Sequence, residues 1–150
     1  MVPPFDSQSG ALPPGEHLAD WDQVSERFGW NLRRRRLLDG LAEGLAVLAS
    51  ASCGRVWLNG SFVTTKEEPA DFDCVWDPTG VDLDVIREAG PELLDLGAAR
   101  SAQKQRFGGE FLPNVTEAAT GKQFASFFQT DRDGSQKGIV VLDPTKERWT

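Results

Sequence analysis

The stretch Arg55-Val-Trp-Leu-Asn-Gly-Ser-Phe-Val-Thr-Thr-Lys-Glu-Glu-Pro-Ala-Asp-Phe-Asp-Cys-Val-Trp76 decides the fold. Residues 56–58 and 72–76 are short runs of apolar, aromatic and β-branched side chains, bounded by Gly60 and by Asp77-Pro78, and they predict two strands joined by a Gly-Ser turn and a loop. Asp71 and Asp73 stand two positions apart on the second run. Side chains alternate across a strand, so both carboxylates face one side, while Phe72 and Cys74 face the other. At the rise of a strand the two like charges lie about 7 Å apart, and a divalent cation between them is the common remedy for their repulsion.

The turn supplies a complementary part. Gly60 lets the backbone bend sharply and approach a ligand, and Ser61 can cap a following helical turn, leaving backbone N–H groups to meet phosphate oxygens. A phosphate cradle facing a pair of metal-binding carboxylates is the apparatus of phosphoryl or nucleotidyl transfer. Taken singly, an Asp-x-Asp at a strand edge is also a solvated pair and Gly-Ser also a common turn; their order along the chain carries the reading.

A hydrophobic strand ending in Gly60-Ser61, a loop of about ten residues and Asp71-Phe72-Asp73 on the next strand together resemble the nucleotidyltransferase superfamily. Where small bacterial members carry an Ala-x-Gly element and a Ser before the first Asp, this chain has Thr64-Thr65-Lys66 and Ala70. Residues 12–15, 28–31, 33–38 and 60–64 also resemble an uncharacterised bacterial family of such proteins. The resemblance implies an α+β two-layer fold, a mixed β-sheet with helices packed mainly on one face. It implies an enzyme that transfers NMP from an NTP to a protein or RNA acceptor, with Mg²⁺ or Mn²⁺ as cofactor. Asp71, Asp73 and a third carboxylate on a neighbouring strand, for which Glu110 is the candidate, would be the catalytic and metal-binding residues, and Gly60, Ser61 and Lys66 the nucleotide-binding ones. Some relatives sit in toxin–antitoxin pairs or phage defence, so the competing reading is a catalytically inactive module of the same fold that binds a cognate toxin or antitoxin.

Bulk properties bound these readings. At 150 residues the chain is one domain's worth, and its hydrophobic content of 39%, with 5 Trp and 9 Phe, is that of a globular protein. A formal net charge of -7 repels polyanions, which makes direct DNA binding without a local basic patch unfavourable. The first residues have neither a basic region nor an apolar run, and no stretch has the length of a membrane span, so a cytoplasmic protein is expected. Cys53 and Cys74 form no disulfide framework or metal motif.

Along the chain, residues 1–15 hold four prolines among Ser, Gly and Gln, predicting a flexible arm ahead of a single domain over residues 16–150. Asp20 is positioned to cap a short amphipathic helix ending near Gly29, and Asn31 to cap a longer one reaching about Ser50. On that second helix Arg34 extends the stripe of Leu38, Leu41, Leu45 and Leu48, while four consecutive arginines, residues 33–36, spread around the cylinder and make no single basic face. They read as solvated arginines with local ion pairs, except Arg34, which can reach toward the sheet's edge. His17, the one histidine, reads as a surface or capping residue. Two short helical turns are expected over residues 81–88 and 91–96, a third strand over residues 107–113, a helix from about residue 116 through Phe128 with an aromatic face, a turn over residues 131–137, and a buried strand over residues 138–142.

Overall fold

A computed structural model of the chain describes residues 2–115 and 137–149. The expected helix through Phe128 and the turn leading to Lys137 lie outside the described residues. The described elements are β1 (Gly15–Leu18), α1 (Trp21–Phe28), α2 (Leu32–Ser50), β2 (Val56–Asn59), β3 (Asp73–Trp76), α3 (Leu83–Ala89), α4 (Ser101–Phe107), β4 (Glu110–Pro113) and β5 (Gly138–Leu142), with short 3-10 turns between them.

The strands form one open mixed sheet in the order β1-β5-β2-β3-β4. The central strands β5, β2 and β3 run antiparallel to their neighbours within that trio, whereas the outer strands β1 and β4 join in parallel. Two of its registers place the site: Asn59 lies opposite Asp73, and Asp73 lies beside Glu110. The architecture is therefore α+β, with the helices α1–α4 contributing to the core on one face of the sheet.

Alternation along the strands divides the apolar residues between two faces. Val56 and Leu58, Cys74 and Trp76, Phe111, Val140 and Leu142 pack with the leucines of α2. Trp57, Val75, Ile139 and Val141 form a separate cluster on the opposite face. The expected stripe of α2 is buried as predicted: Leu38, Leu41, Leu45 and Leu48 are between 0% and 6% exposed. Each such side chain contributes roughly 1.5–3 kcal/mol when removed from water.

Both helix starts follow their caps. The Asp20 carboxylate accepts from the Gln23 N–H at 2.9 Å while the Gln23 side chain accepts from the Asp20 N–H, a reciprocal capping box. Asn31 Oδ1 accepts from the Arg34 N–H at 2.8 Å. Asp82 caps α3 in the same way, so its carboxylate serves the helix end.

Three expectations are corrected. Residues 2–15 lie on the body: Val2 and Leu12 are buried, Ala11 forms a bridge with Thr64, and the sheet gains β1 from residue 15 onward. The third strand begins at Glu110, because residues up to Phe107 belong to α4. The second strand begins at Asp73, with Asp71 on the approach to it.

Candidate functional site

β2 ends at Asn59, and the chain turns at Gly60 with φ 78° and ψ -166°, a conformation reserved almost wholly for glycine. A Cβ at this position would sit 2.1 Å from Asp73 Oδ2. The turn and the carboxylate are thus packed against each other, and glycine is the residue that allows it. A 3-10 turn follows over Ser61–Val63 with Ser61 as its first residue. The Ser61 side chain does not cap it, contrary to expectation.

The loop after this turn is held by the start of α2. Arg34 is fully buried, and its guanidinium donates to the carbonyls of Phe28 (3.1 Å), Phe62 (2.6 Å), Thr64 (2.7 Å) and Lys66 (2.6 Å). It also stacks 3.7 Å from the Trp30 ring centroid. Burial pulls this guanidinium down to about 10, with the Glu67 carboxylate opposing the fall. Arg33 donates to the carbonyls of Pro69 and Ala70, and Asn31 Nδ2 to that of Glu67. The arginine run is therefore no solvated face at its first two positions: a planar, many-donor cation satisfies carbonyls that a loop without ladder partners would otherwise bury unpaired.

On the far side of the loop lies a cavity of about 370 Å³ lined by Ser9, Ala11, Gly60, Ser61, Thr64, Thr65, Lys66 and Lys137. It brings together all three residues expected to bind nucleotide, Gly60, Ser61 and Lys66. Among the described residues its walls carry two lysines, four hydroxyls and no carboxylate, a chemistry suited to an oxyanion. The N-terminal segment closes one side, with the Gly10 carbonyl accepting from the Thr65 N–H at 2.9 Å. A larger depression of about 550 Å³ lies at the other ends of β2 and β5, where Asp20, Asp143 and Glu147 mix with Arg55 and Lys146. Its opposed charges give it no such preference, so the smaller cavity is the stronger candidate.

The acidic residues gather beside Gly60. Phe72 is buried against Phe111 on the helical face, and Asp73, the first residue of β3, lies across from Asn59 and beside Glu110. Asp73 is held up at about 6, first by burial, then by the charges of Asp71 and Glu110, with Lys137 and Arg100 opposing. Asp71 is also raised, by burial and then by Glu110, against the pull of Lys104, Arg33 and Lys66. The three expected carboxylates thus share one electrostatic neighbourhood.

They are not equally available. Glu110 is gripped by two cations: Lys104 Nζ lies 3.1 Å from Oε1 and Arg100 Nε 3.1 Å from Oε2. The Arg100 Nε contact is an ion pair whose angle misses hydrogen-bond geometry, leaving that N–H without an acceptor, while the neighbouring Arg100 nitrogen reaches Oε1 at 3.4 Å. Arg100 is itself the last of three consecutive non-glycine residues at positive φ, 48°, 53° and 62°. Among the described residues no group of three or more His, Cys, Asp or Glu side chains is arranged to hold a metal ion. Two carboxylates such as Asp71 and Asp73 would suffice for one hard divalent cation, since Mg²⁺ is commonly bound by one or two carboxylates and completes its shell with water and substrate phosphates.

Residues 3–143 match the family described as Family of unknown function (DUF6932). The chain belongs to that family. No curated protein matches it, and no solved structure does. Among the described residues no helix of this DUF6932 member is long and apolar enough to cross a membrane.

Sequence reasoning missed four contributors. Asn59 is a buried polar residue opposite Asp73, hidden in the sequence because it ends an apolar strand. Arg100 and Lys104 lie on a segment whose fold the sequence leaves undefined. Ser9 reaches the cavity only because the N-terminal segment packs down.

Proposed function

We propose that this chain is a nucleotidyltransferase-like protein that binds a nucleoside triphosphate at the Gly60 turn and passes its nucleoside monophosphate to a protein or RNA acceptor. One observation carries the reading: the lysine- and hydroxyl-lined cavity at Gly60, Ser61 and Lys66 adjoins the Asp73 carboxylate, so an anion pocket and a cation-seeking acid pair share a wall. Lys66 and Lys137 would attract the β- and γ-phosphates, and the bend at Gly60 lets backbone come close to them. Asp71 and Asp73 would hold Mg²⁺ or Mn²⁺, which when bound neutralises charge on the phosphates and lowers the barrier to displacement. The chain's own contribution is positioning: Arg34 and Arg33 fix the loop, and the loop fixes Lys66 relative to Asp73. Asp71→Asn should abolish Mg²⁺-dependent NTP turnover by the purified chain, and undiminished turnover in that variant would reject the assignment.

A second reading has its own support. Glu110 is neutralised by Arg100 and Lys104, so the third carboxylate that an active enzyme uses to hold metal or take the acceptor's proton is engaged. In that reading the chain keeps the fold as a binding module, for a cognate toxin or antitoxin or a phage-defence partner. Melting with Mg²⁺ and each NTP separates the two: a raised midpoint with no turnover favours a nucleotide-binding module, and no shift at millimolar ligand favours one that binds only protein.

A further inference from the structure

Asn59 is the last residue of β2, and it faces the side of the sheet opposite α2, with Trp57 two positions before it. Register sets it directly across from Asp73, which lies beside Glu110, so an amide and two carboxylates form a row over three adjacent strands. Asn59 is 0% exposed. Its Nδ2 donates to the Trp57 carbonyl at 2.9 Å, and only an NH₂ can do that, which fixes the amide with Oδ1 as the other terminus. That Oδ1 is buried and has no hydrogen-bond partner among the described residues. A buried amide oxygen left unpaired is rare in native proteins and calls for an explanation.

The neighbourhood narrows the explanation. Once ionised, as a cation ligand must be, Asp73 accepts and does not donate, so it then offers Oδ1 nothing. Arg100 and Lys104 are engaged by Glu110, and Lys137 acts through its charge on Asp73. An acceptor without a donor beside two carboxylates is what a hard divalent cation satisfies, and an asparagine carbonyl is an ordinary ligand for one. We propose that Asn59 Oδ1 is the third protein oxygen of the cation site formed with Asp71 and Asp73, taking the place that Glu110 is engaged away from. Such a set carries two negative charges against the two of the cation. This rests on the cation site of the preceding section and adds to it a neutral ligand that also orients the ion toward the end of β2.

Mn²⁺ serves as the probe, its uptake by the intact chain followed by loss of the free-ion electron paramagnetic resonance signal, with and without an NTP. The wild type should take up Mn²⁺. Asn59→Leu, similar in volume, should weaken uptake by roughly tenfold or more, and Asn59→Asp, which adds a charge, should tighten it by a similar factor. Melting in the absence of metal reports whether each variant folds, and if Asn59→Leu does not, Asn59→Asp alone decides. Uptake weakened by Asp71→Asn but equal to wild type in the folded Asn59 variants overturns the role of Asn59 and leaves the Asp71–Asp73 site standing. No uptake by the wild type under either condition removes both.

Discussion

Replacing Asp73 by asparagine should make the ligand-free chain more stable at neutral pH. Asp73 ionises at about 6, against 3.8 for a free side chain, because burial and the charges of Asp71 and Glu110 disfavour its anion. The folded protein therefore holds this proton where the unfolded chain has lost it. Its stabilising effect is complete below about pH 4 and is lost as pH rises through 6. A difference of roughly two units corresponds to about 3 kcal/mol, an upper figure for a site that retains some solvent. Asp73→Asn, neutral at every pH, should thus exceed the wild type by up to about 3 kcal/mol at pH 7.5, with the gap closing toward zero near pH 4. Urea unfolding followed by tryptophan fluorescence, at several pH values and without divalent ions, measures it. Added Mg²⁺ should narrow the gap at pH 7.5, since an ion bound only to the folded wild type raises its stability by mass action. A variant no more stable than wild type at pH 7.5, or a gap independent of pH, would refute the reasoning.

Other changes test the parts that hold the site. Arg34→Met removes the donors of four carbonyls, Phe28 at the end of α1 and Phe62, Thr64 and Lys66 after the Gly60 turn, and should cost about 3–5 kcal/mol in urea unfolding; a loss below about 1 kcal/mol would contradict the clamp. Gly60→Ala forces a side chain into a glycine-only conformation and against Asp73, and should cost roughly 1–3 kcal/mol and weaken NTP binding together; retention of both would show that the turn yields freely. The double variant Arg100→Gln with Lys104→Gln frees Glu110, and Mn²⁺ affinity by calorimetry should tighten by roughly tenfold, about 1.4 kcal/mol. Unchanged affinity would place Glu110 outside the ion's reach.

What the sequence disclosed was mainly local. Asp20 and Asn31 mark helix starts because a short polar side chain satisfies N–H groups that the helix itself leaves open, and both caps stand where expected. The apolar run of β5 was equally legible, as was the burial of Phe72 and Cys74 in the helical core. Long-range pairing was not. The segment Gly15-Glu-His-Leu18 is too polar to announce an edge strand, yet it pairs with β5 and brings Leu12 into the core. Arg34 reads in sequence as the one arginine of the run on the apolar stripe, but its partners, carbonyls roughly thirty residues away, do not show there. The engagement of Glu110 depends on Arg100, on a stretch of three residues in a left-handed conformation that no propensity favours. The approach of three carboxylates was foreseeable from motif and order; their unequal availability was not.

The most direct test of the account is calorimetric titration of the chain with a non-hydrolysable NTP analogue in the presence of Mg²⁺, repeated with Lys66→Ala, with Asp71→Asn and after chelation. The account predicts saturable one-to-one binding that is weakened by either substitution and abolished by the chelator. Absence of binding at millimolar concentration for all four bases, or binding indifferent to Lys66, Asp71 and the metal, would contradict it.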